Sequence, residues 1–451
     1  MNTSITSTSC LFFRLAPAAA CLAVAGLWSA GAHAQSLLEV YETARGYDST
    51  LLAARQQHEA NLARADQARA GLLPQAALSA GANWANVDSS AMPGSRGTDS
   101  QNVALSASQP LYRPANRISR EQALLSTEAS EAQLAIAEQD LIVRTSQAYF
   151  DVLAAQDTVT FTGALKAAVE EQLAAAKRAF EVGTATITDT REAQARYDLV
   201  LAQEIAAQND LRVKKLALDQ LVGKQDVKPL VLAAPVTIPA VVPDSAEAWV
   251  ARALDRHPAI LAATRARDIA QLETRKADAG HKPTLDLVGQ YQVARGPSST
   301  GVPPGQIRTN TASIGLQFNL PLFAGYAIQN RVKETLALEQ KAEADLESAT
   351  RNISQGTRTA YFGVLSGMGQ IKALEAAEAS SQSALEANQL GYQVGVRINI
   401  DVLNAQSQLF QTKRDLSQAR YNVLVGQLRL KQASGQLSAE DIRPVDALLA
   451  R

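Results

Sequence analysis

The sequence has 451 residues, with 43 Lys and Arg, 44 Asp and Glu, 4 His and 2 Cys. So even a charge balance lacks the basic footprint that nucleic-acid binding requires, and no nucleic-acid partner is expected. The length suits two or three domains of about 150 residues each.

Residues 1–34 carry one basic residue, Arg14, then an apolar run from Leu15 to Trp28, then Ala32-His33-Ala34. This order of charged segment, apolar segment and small-x-small site reads as a signal peptide cleaved after Ala34. Lipidation at Cys21 is the alternative. It is disfavoured because Ala18 stands where a leucine usually precedes a lipidated cysteine by three residues. Both cysteines, Cys10 and Cys21, fall in this segment, so the mature chain has no thiolate chemistry or disulfide. Without Arg14 the balance is 42 basic to 44 acidic residues. No later apolar run approaches the roughly 20 residues of a membrane-spanning helix.

The rest of the chain is one unit written twice. An offset of 212 residues aligns Tyr149-Phe150 with Tyr361-Phe362, Phe180 with Tyr392, Gly183 with Gly395, Asp189 with Asp401 and Gly223 with Gly435. The repeats span 35–223 and 244–435, joined by a linker at 224–243 and followed by a tail at 436–451. Each opens with a helical stretch, 48–71 or 258–280, stopped by Pro74 or Pro283. A β-hairpin follows, 75–113 or 284–320. A very long helix is then expected at 115–182 or 326–394, and a further helix at 189–222 or 401–434.

Proline spacing supports the long helices. There is no proline between Pro114 and Pro229, or between Pro321 and Pro444, and an interior proline costs a helix about 3 kcal/mol. Gly356, Gly363, Gly367 and Gly369 are expected to loosen the second long helix. At about 1.5 Å per residue these helices reach roughly 100 Å, so they need coiled-coil partners.

The hairpin segments alternate in polarity. Leu78 and Trp84, Leu105, Leu287 and Tyr291, and Ile314, Leu316 and Phe318 stand in apolar rows against polar neighbours. A half-buried soluble sheet has the same period. A transmembrane barrel with these residues facing lipid is favoured, since each segment matches the roughly 9–11 residues of a tilted span. Four strands do not close a barrel, and an open edge in lipid leaves backbone groups unsatisfied. The chain is therefore expected to be oligomeric.

The glycines at 183 and 395 read as helix C-caps. Asp189 and Asp401 read as N-caps of the following helices, Asp189 with Glu192 as a capping box. The mature histidines, His58, His257 and His281, are scattered and are expected to lie on the surface. No metal spacing, phosphate loop or nucleophile motif is present, so neither an enzyme nor a cofactor is expected.

In this order and twice over, the segments "LLP", "QPLYR", "LPLFAG", "AYFDVL", "FEVGTATITD", "YQVGVRINIDVLNAQ" and "ARYNVLVGQLRLKQASG" resemble the TolC-type outer-membrane exit ducts, from about Ser36 to Gly435. The resemblance implies an α+β membrane protein of the Gram-negative outer membrane. It implies a homotrimer whose twelve strands form one barrel, continuous with a periplasmic α-helical barrel of twelve helical strands. A small mixed region joined by residues 224–243 would surround the middle of that helical barrel. The implied partners are outer-membrane lipid, a periplasmic adaptor (membrane fusion) protein and an inner-membrane RND or ABC transporter. The duct would conduct drugs or secreted proteins passively.

The resemblance also implies that the Gly183 and Gly395 turns sit at the periplasmic tip. Asp401 would form an acidic ring there, with Tyr392, Arg397, Asp189 and Arg178 in the network that holds the tip closed. An Arg–Asp link across subunits suits such a network. Well-known members carry a second aspartate one helical turn past the first. Asn404 stands in that place here, which implies a sparser acidic ring. The alternative from another functional class is a soluble periplasmic coiled-coil structural or adaptor protein.

Overall fold

The computed structural model describes residues 35–89, 92–233, 235–297 and 306–450. The signal-peptide segment, with both cysteines, lies outside them. The first repeat comprises α1 (Leu37–Tyr47), α2 (Ser49–Ala70), β1 (Gln75–Ser89), β2 (Met92–Tyr112), α3 (Pro114–Glu181) and α4 (Ile187–Val222). The second comprises α5 (Ala246–Arg256), α6 (Pro258–Asp278), β3 (Thr284–Pro297), β4 (Gln306–Asn319), α7 (Ala327–Gln393) and α8 (Asn399–Ala433). None of the described helices is long and apolar enough to cross a membrane.

The sequence reading expected one helix ahead of each hairpin, and the structure has two. The break between them is a local hydrogen-bonding event in both repeats. Asp48 caps α2 by accepting from the Leu51 amide at 2.7 Å. His257 caps α6, its Nδ1 accepting from the Ala259 amide at 3.1 Å. Burial disfavours the Asp48 carboxylate, but hydrogen bonds from Arg144 and the Leu51 amide outweigh it and hold its pKa below the ordinary value. His257 is half-buried, and that burial lowers its pKa. His58 is partly buried and meets the Ser130 hydroxyl at 3.0 Å. Of the three mature histidines expected at the surface, His281 alone is exposed.

Each of these breaks receives the end of the last helix of its own repeat. Gly223, with φ +74°, caps α4 against the Tyr47 ring. Gly435, with φ +71°, follows α8 and abuts the His257 backbone. Both glycines need the left-handed region, and a Cβ at either would sit within 2.7 Å of its neighbour. So α2 and α4 share α3 as a partner, and α6 and α8 share α7. This pairing sustains helices of 68 and 67 residues, roughly 100 Å each.

The glycines expected to loosen α7 leave it unbroken. A Cβ on Gly367 would lie 2.6 Å from Val423 of α8, and one on Gly426 of α8 would lie 3.3 Å from Val364. Two of the small residues on this pair of helices therefore mark close approach, not weakness.

The main core lies midway along the long helices. Leu141, Tyr149, Phe150 and Leu153 of α3 pack with α1, the end of α4, and Leu424 and Leu428 of α8. The tail joins this core through Leu437, Ile442, Val445 and Leu449. The linker runs beside it, adding Val227 to the core, and its β-bridges are isolated ones, Gln35 with Pro229 and Leu232 with Leu449. The Tyr149 hydroxyl accepts from the Leu230 amide at 2.7 Å and reaches the Gln35 carbonyl at 3.0 Å. Its repeat counterpart, Tyr361, donates to Asp244 at 2.8 Å. The paired "AYF" segments thus fasten the two ends of the linker to the two long helices.

The strands form one antiparallel sheet in the order β1-β2-β3-β4. Its register sets Leu78 beside Leu105, Leu105 beside Tyr291, and Leu287 beside Leu316. Directly paired residues share a face, and residues two apart along a strand share it too. Leu78, Trp84, Leu105, Leu287, Tyr291, Ile314, Leu316 and Phe318 therefore all stand on one face. That face is exposed, with Ile314 at 80% and Leu78 at 72%. The opposite face carries Ser79, Ser106, Gln290, Ser313 and Gln317. It also carries Asp286, which Arg113 holds through two bonds of 2.8 and 2.5 Å at the junction with α3. In the described chain β1 and β4 are each bonded on one side only.

Candidate pore constriction

The two turns that join the long helices to α4 and α8 are conformational copies. After α3, Gly183 has φ +80°. The Thr184 and Gly183 amides donate back to Ala179 (2.8 Å) and Phe180 (3.0 Å). After α7, Gly395 has φ +80°. The Val396 and Gly395 amides donate to Gly391 (2.9 Å) and Tyr392 (3.1 Å). This is the Schellman arrangement, whose left-handed residue favours glycine. In both turns the glycine is the left-handed residue that follows the helix cap, Val182 or Val394.

The aspartates are not N-caps. Thr186 caps α4, its hydroxyl accepting from the Asp189 amide at 3.2 Å, while the Asp189 carboxylate accepts from the Thr186 amide at 2.9 Å. Asp189 is thus the third helical residue of a capping box that runs from 186 to 189, not from 189 to 192. In α8 the equivalent cap position is Ile398, which has no side chain able to cap. Asp401 therefore has no capping role for its side chain. It lies 3.6 Å from Arg397, which precedes the helix in the same chain.

The substitution of isoleucine for threonine separates the two copies chemically. One aspartate is committed to its own turn, and the other faces an open groove. That groove, about 590 Å³, is lined by Ser380, Ser381, Asn388, Arg397, Asp401 and Asn404. Gly391 makes room for Arg397, since a Cβ there would lie 2.7 Å from its Cγ. Tyr392 is partly buried against Leu385, Val402 and Leu409 and so anchors the end of α7. Arg178 lies exposed on the last turn of α3 and makes no ion pair among the described residues. The structure thus gathers Arg397, Asp401 and Asn404 around one groove, which Asp189 and Arg178 do not line.

Two polar links between the repeats were missed. Gln172 of α3 donates to Asn399, the first residue of α8, which is buried. Arg196 of α4 donates from Nε to Ser407 at 3.1 Å. Both tie α8 to the first repeat near this end. A polar residue at position 399, between Ile398 and Ile400, was the available signal.

The outer membrane efflux protein family matches residues 40–224 and 249–436. The outer membrane protein TolC of Vibrio cholerae is 34% identical over 425 residues, 94% of this chain and 96% of that protein. The alkaline protease secretion protein AprF of Pseudomonas aeruginosa is 32% identical, over 92% of this chain and 88% of that protein. The solved structure of the outer membrane channel CmeC of Campylobacter jejuni superposes with a TM-score of 0.77 at 17% identity, covering 92% of this chain and 90% of that one. With two matched halves and a fold shared end to end, this chain belongs to the outer membrane efflux protein family, as a TolC-type channel of the outer membrane.

Proposed function

We propose that three copies of the chain assemble into one duct, a twelve-stranded barrel in the outer membrane continuous with a helical barrel in the periplasm. The observation that carries this reading is the sheet: four strands, two edges bonded on one side only, and the rows of Leu78 and Trp84, Leu105, Leu287 and Tyr291, and Ile314, Leu316 and Phe318 together on one exposed face. In lipid both edges must be bonded. Joining β4 of one copy to β1 of the next satisfies them in a closed ring. The soluble alternative leaves that apolar face without an explanation.

The duct is passive, and its cargo is drugs, secreted proteins or both. A periplasmic adaptor and an inner-membrane RND or ABC transporter supply the cargo and the energy. At the tip, three copies of Asp401 form the acidic ring, paired with Arg397 at rest, while Tyr392, Asn404, Asp189 and Arg178 shape the constriction. Rings of carboxylates select cations in pores. Native mass spectrometry of the detergent-extracted protein tests the assembly. Three copies per particle, recovered from membranes that resist a sodium carbonate wash, support the reading. A monomer in the soluble fraction overturns it.

A further inference from the structure

The apolar face of the sheet ends in an arrangement that barrel closure does not explain. Arg295 of β3 and Arg308 of β4 are direct cross-strand partners. Both lie on the apolar face, because Arg295 is four residues beyond Tyr291 and Arg308 is four residues before Ala312. Both are exposed. Like charges placed directly opposite each other destabilise a strand pair, and neither arginine makes an ion pair or hydrogen bond with a described residue. The hairpin that joins the two strands, "SSTGVPPG" at 298–305, contains no carboxylate. Asp99, one step further out on the same face, accepts a hydrogen bond from Gln306 at 2.5 Å.

Their level is set by the strand. From Leu285, paired with Phe318, to Arg295, paired with Arg308, is ten residues. At about 3.4 Å per residue and a tilt of about 40° this rises roughly 26 Å, close to the roughly 25 Å apolar band of outer-membrane barrels. The two guanidinium groups thus stand where the acyl chains of the outer leaflet end and the headgroups begin, at the end of the sheet remote from the helices.

We propose that Arg295 and Arg308 form a binding site for a phosphate of an outer-leaflet glycolipid headgroup. Two guanidinium groups side by side offer several donors to phosphate oxygens, and the bound anion removes their mutual repulsion. The proposal rests on the membrane-barrel reading of the sheet. In that barrel β4 borders β1 of the next copy, and the outer part of β1 carries the exposed Asp88. Asp88 and Asp99, the latter already bonded by Gln306, are therefore the rival anions on this face.

The test uses the full-length protein in nanodiscs, with bis-phosphorylated lipid A as the probe. Copies of lipid A retained per subunit are counted by native mass spectrometry. The wild type is expected to retain it, and Arg295→Gln with Arg308→Gln together to weaken retention about tenfold or more. Arg351→Gln, on exposed α7, is expected to change nothing, and Arg295→Lys with Arg308→Lys to keep part of the affinity. Equal retention by the wild type and the double glutamine variant overturns the proposal. So does equal retention of lipid A stripped of its phosphates, a comparison that needs no variant. Glycolipid binding that appears only in Asp88→Asn would assign Arg308 to the neighbouring copy and also overturn it. Single-channel conductance, recorded in parallel, is expected to be unchanged in the double variant. Loss of conductance in the wild type would sink the duct reading instead.

Discussion

Replacing Gly435 by alanine probes how the second repeat closes on itself, the end of α8 against the start of α6. Gly435 has φ +71°, a conformation that costs an alanine about 1–2 kcal/mol. Its new Cβ would lie 2.6 Å from the Cα of His257 and 3.0 Å from Cδ of Pro258. Both atoms belong to rigid backbone or ring, so the contact is relieved by moving the start of α6 away from the end of α8. Overpacking of this kind adds about 1–3 kcal/mol. The lower entropy of the unfolded alanine chain returns up to about 1 kcal/mol. The net loss is therefore about 1–4 kcal/mol, with a midpoint of about 2.5 kcal/mol. Gly183 is the control. Its φ is +80°, but a Cβ there meets nothing within 4 Å, so Gly183→Ala carries the backbone penalty alone, about 1 kcal/mol. The assay is guanidinium denaturation of the detergent-purified protein followed by helical circular dichroism. The midpoint of Gly435→Ala is expected to fall at least twice as far as that of Gly183→Ala. Equal shifts would refute the reasoning, because they would leave the backbone contact with no energetic consequence.

Four further outcomes are expected. Thr186→Ala removes the capping box of α4 and should destabilise that turn by about 1 kcal/mol, measured as faster hydrogen exchange of the amides at 187–189. The same experiment on Ile398→Ala should show little change, since Ile398 caps nothing. Arg397→Ser should raise single-channel conductance, and Asp401→Ala should weaken block by divalent cations. Unchanged traces from both would remove this pair from the constriction. Glu273 of α6 is held down to about 2, first by a hydrogen bond from Gln122 of α3 and then by Arg331 and Lys276, against its partial burial. A lowered carboxyl pKa stabilises the fold above the unfolded value near 4.5, and that contribution is lost as pH falls toward 2. Glu273→Gln should therefore flatten the acid limb of a melting-temperature profile between pH 4.5 and 2.

Much of this architecture was legible in the residues. The absence of proline marked α3 and α7 as long helices, and the glycines at 183 and 395 marked where they end. The pairing of the strands kept all the apolar rows on one face, as their period of two required. Other features were not legible. The expected stretches at 48–71 and 258–280 begin where α2 and α6 do, but α1 and α5 were not read, being short for a helical period at 11 residues each. The glycines of α7 look weakening in isolation, and the reason for two of the small residues on α7 and α8, Gly367 and Gly426, is the close approach of one helix to the other. Capping was misassigned because the threonine three residues before Asp189 and the glutamate three residues after it both complete the same motif, and backbone conformation alone decides between them.

The tip shows how a duplication diverges. The backbone of the two turns is the same to the level of individual hydrogen bonds. Threonine at 186 and isoleucine at 398 then decide whether the following aspartate serves its own helix or faces the groove. Gly391 adds room for Arg397 in the second copy, where the first copy has Ala179. The proposed constriction thus draws its charged pair, Arg397 and Asp401, from one repeat.

The central claim is that this chain forms a continuous duct with a closed tip. Single-channel recording of the purified wild-type protein in planar lipid bilayers tests it most directly. The account expects insertion with a small, cation-selective conductance that rises when Arg397 is replaced by serine. A protein that adds no conductance to the bilayer, with or without that substitution, would contradict it.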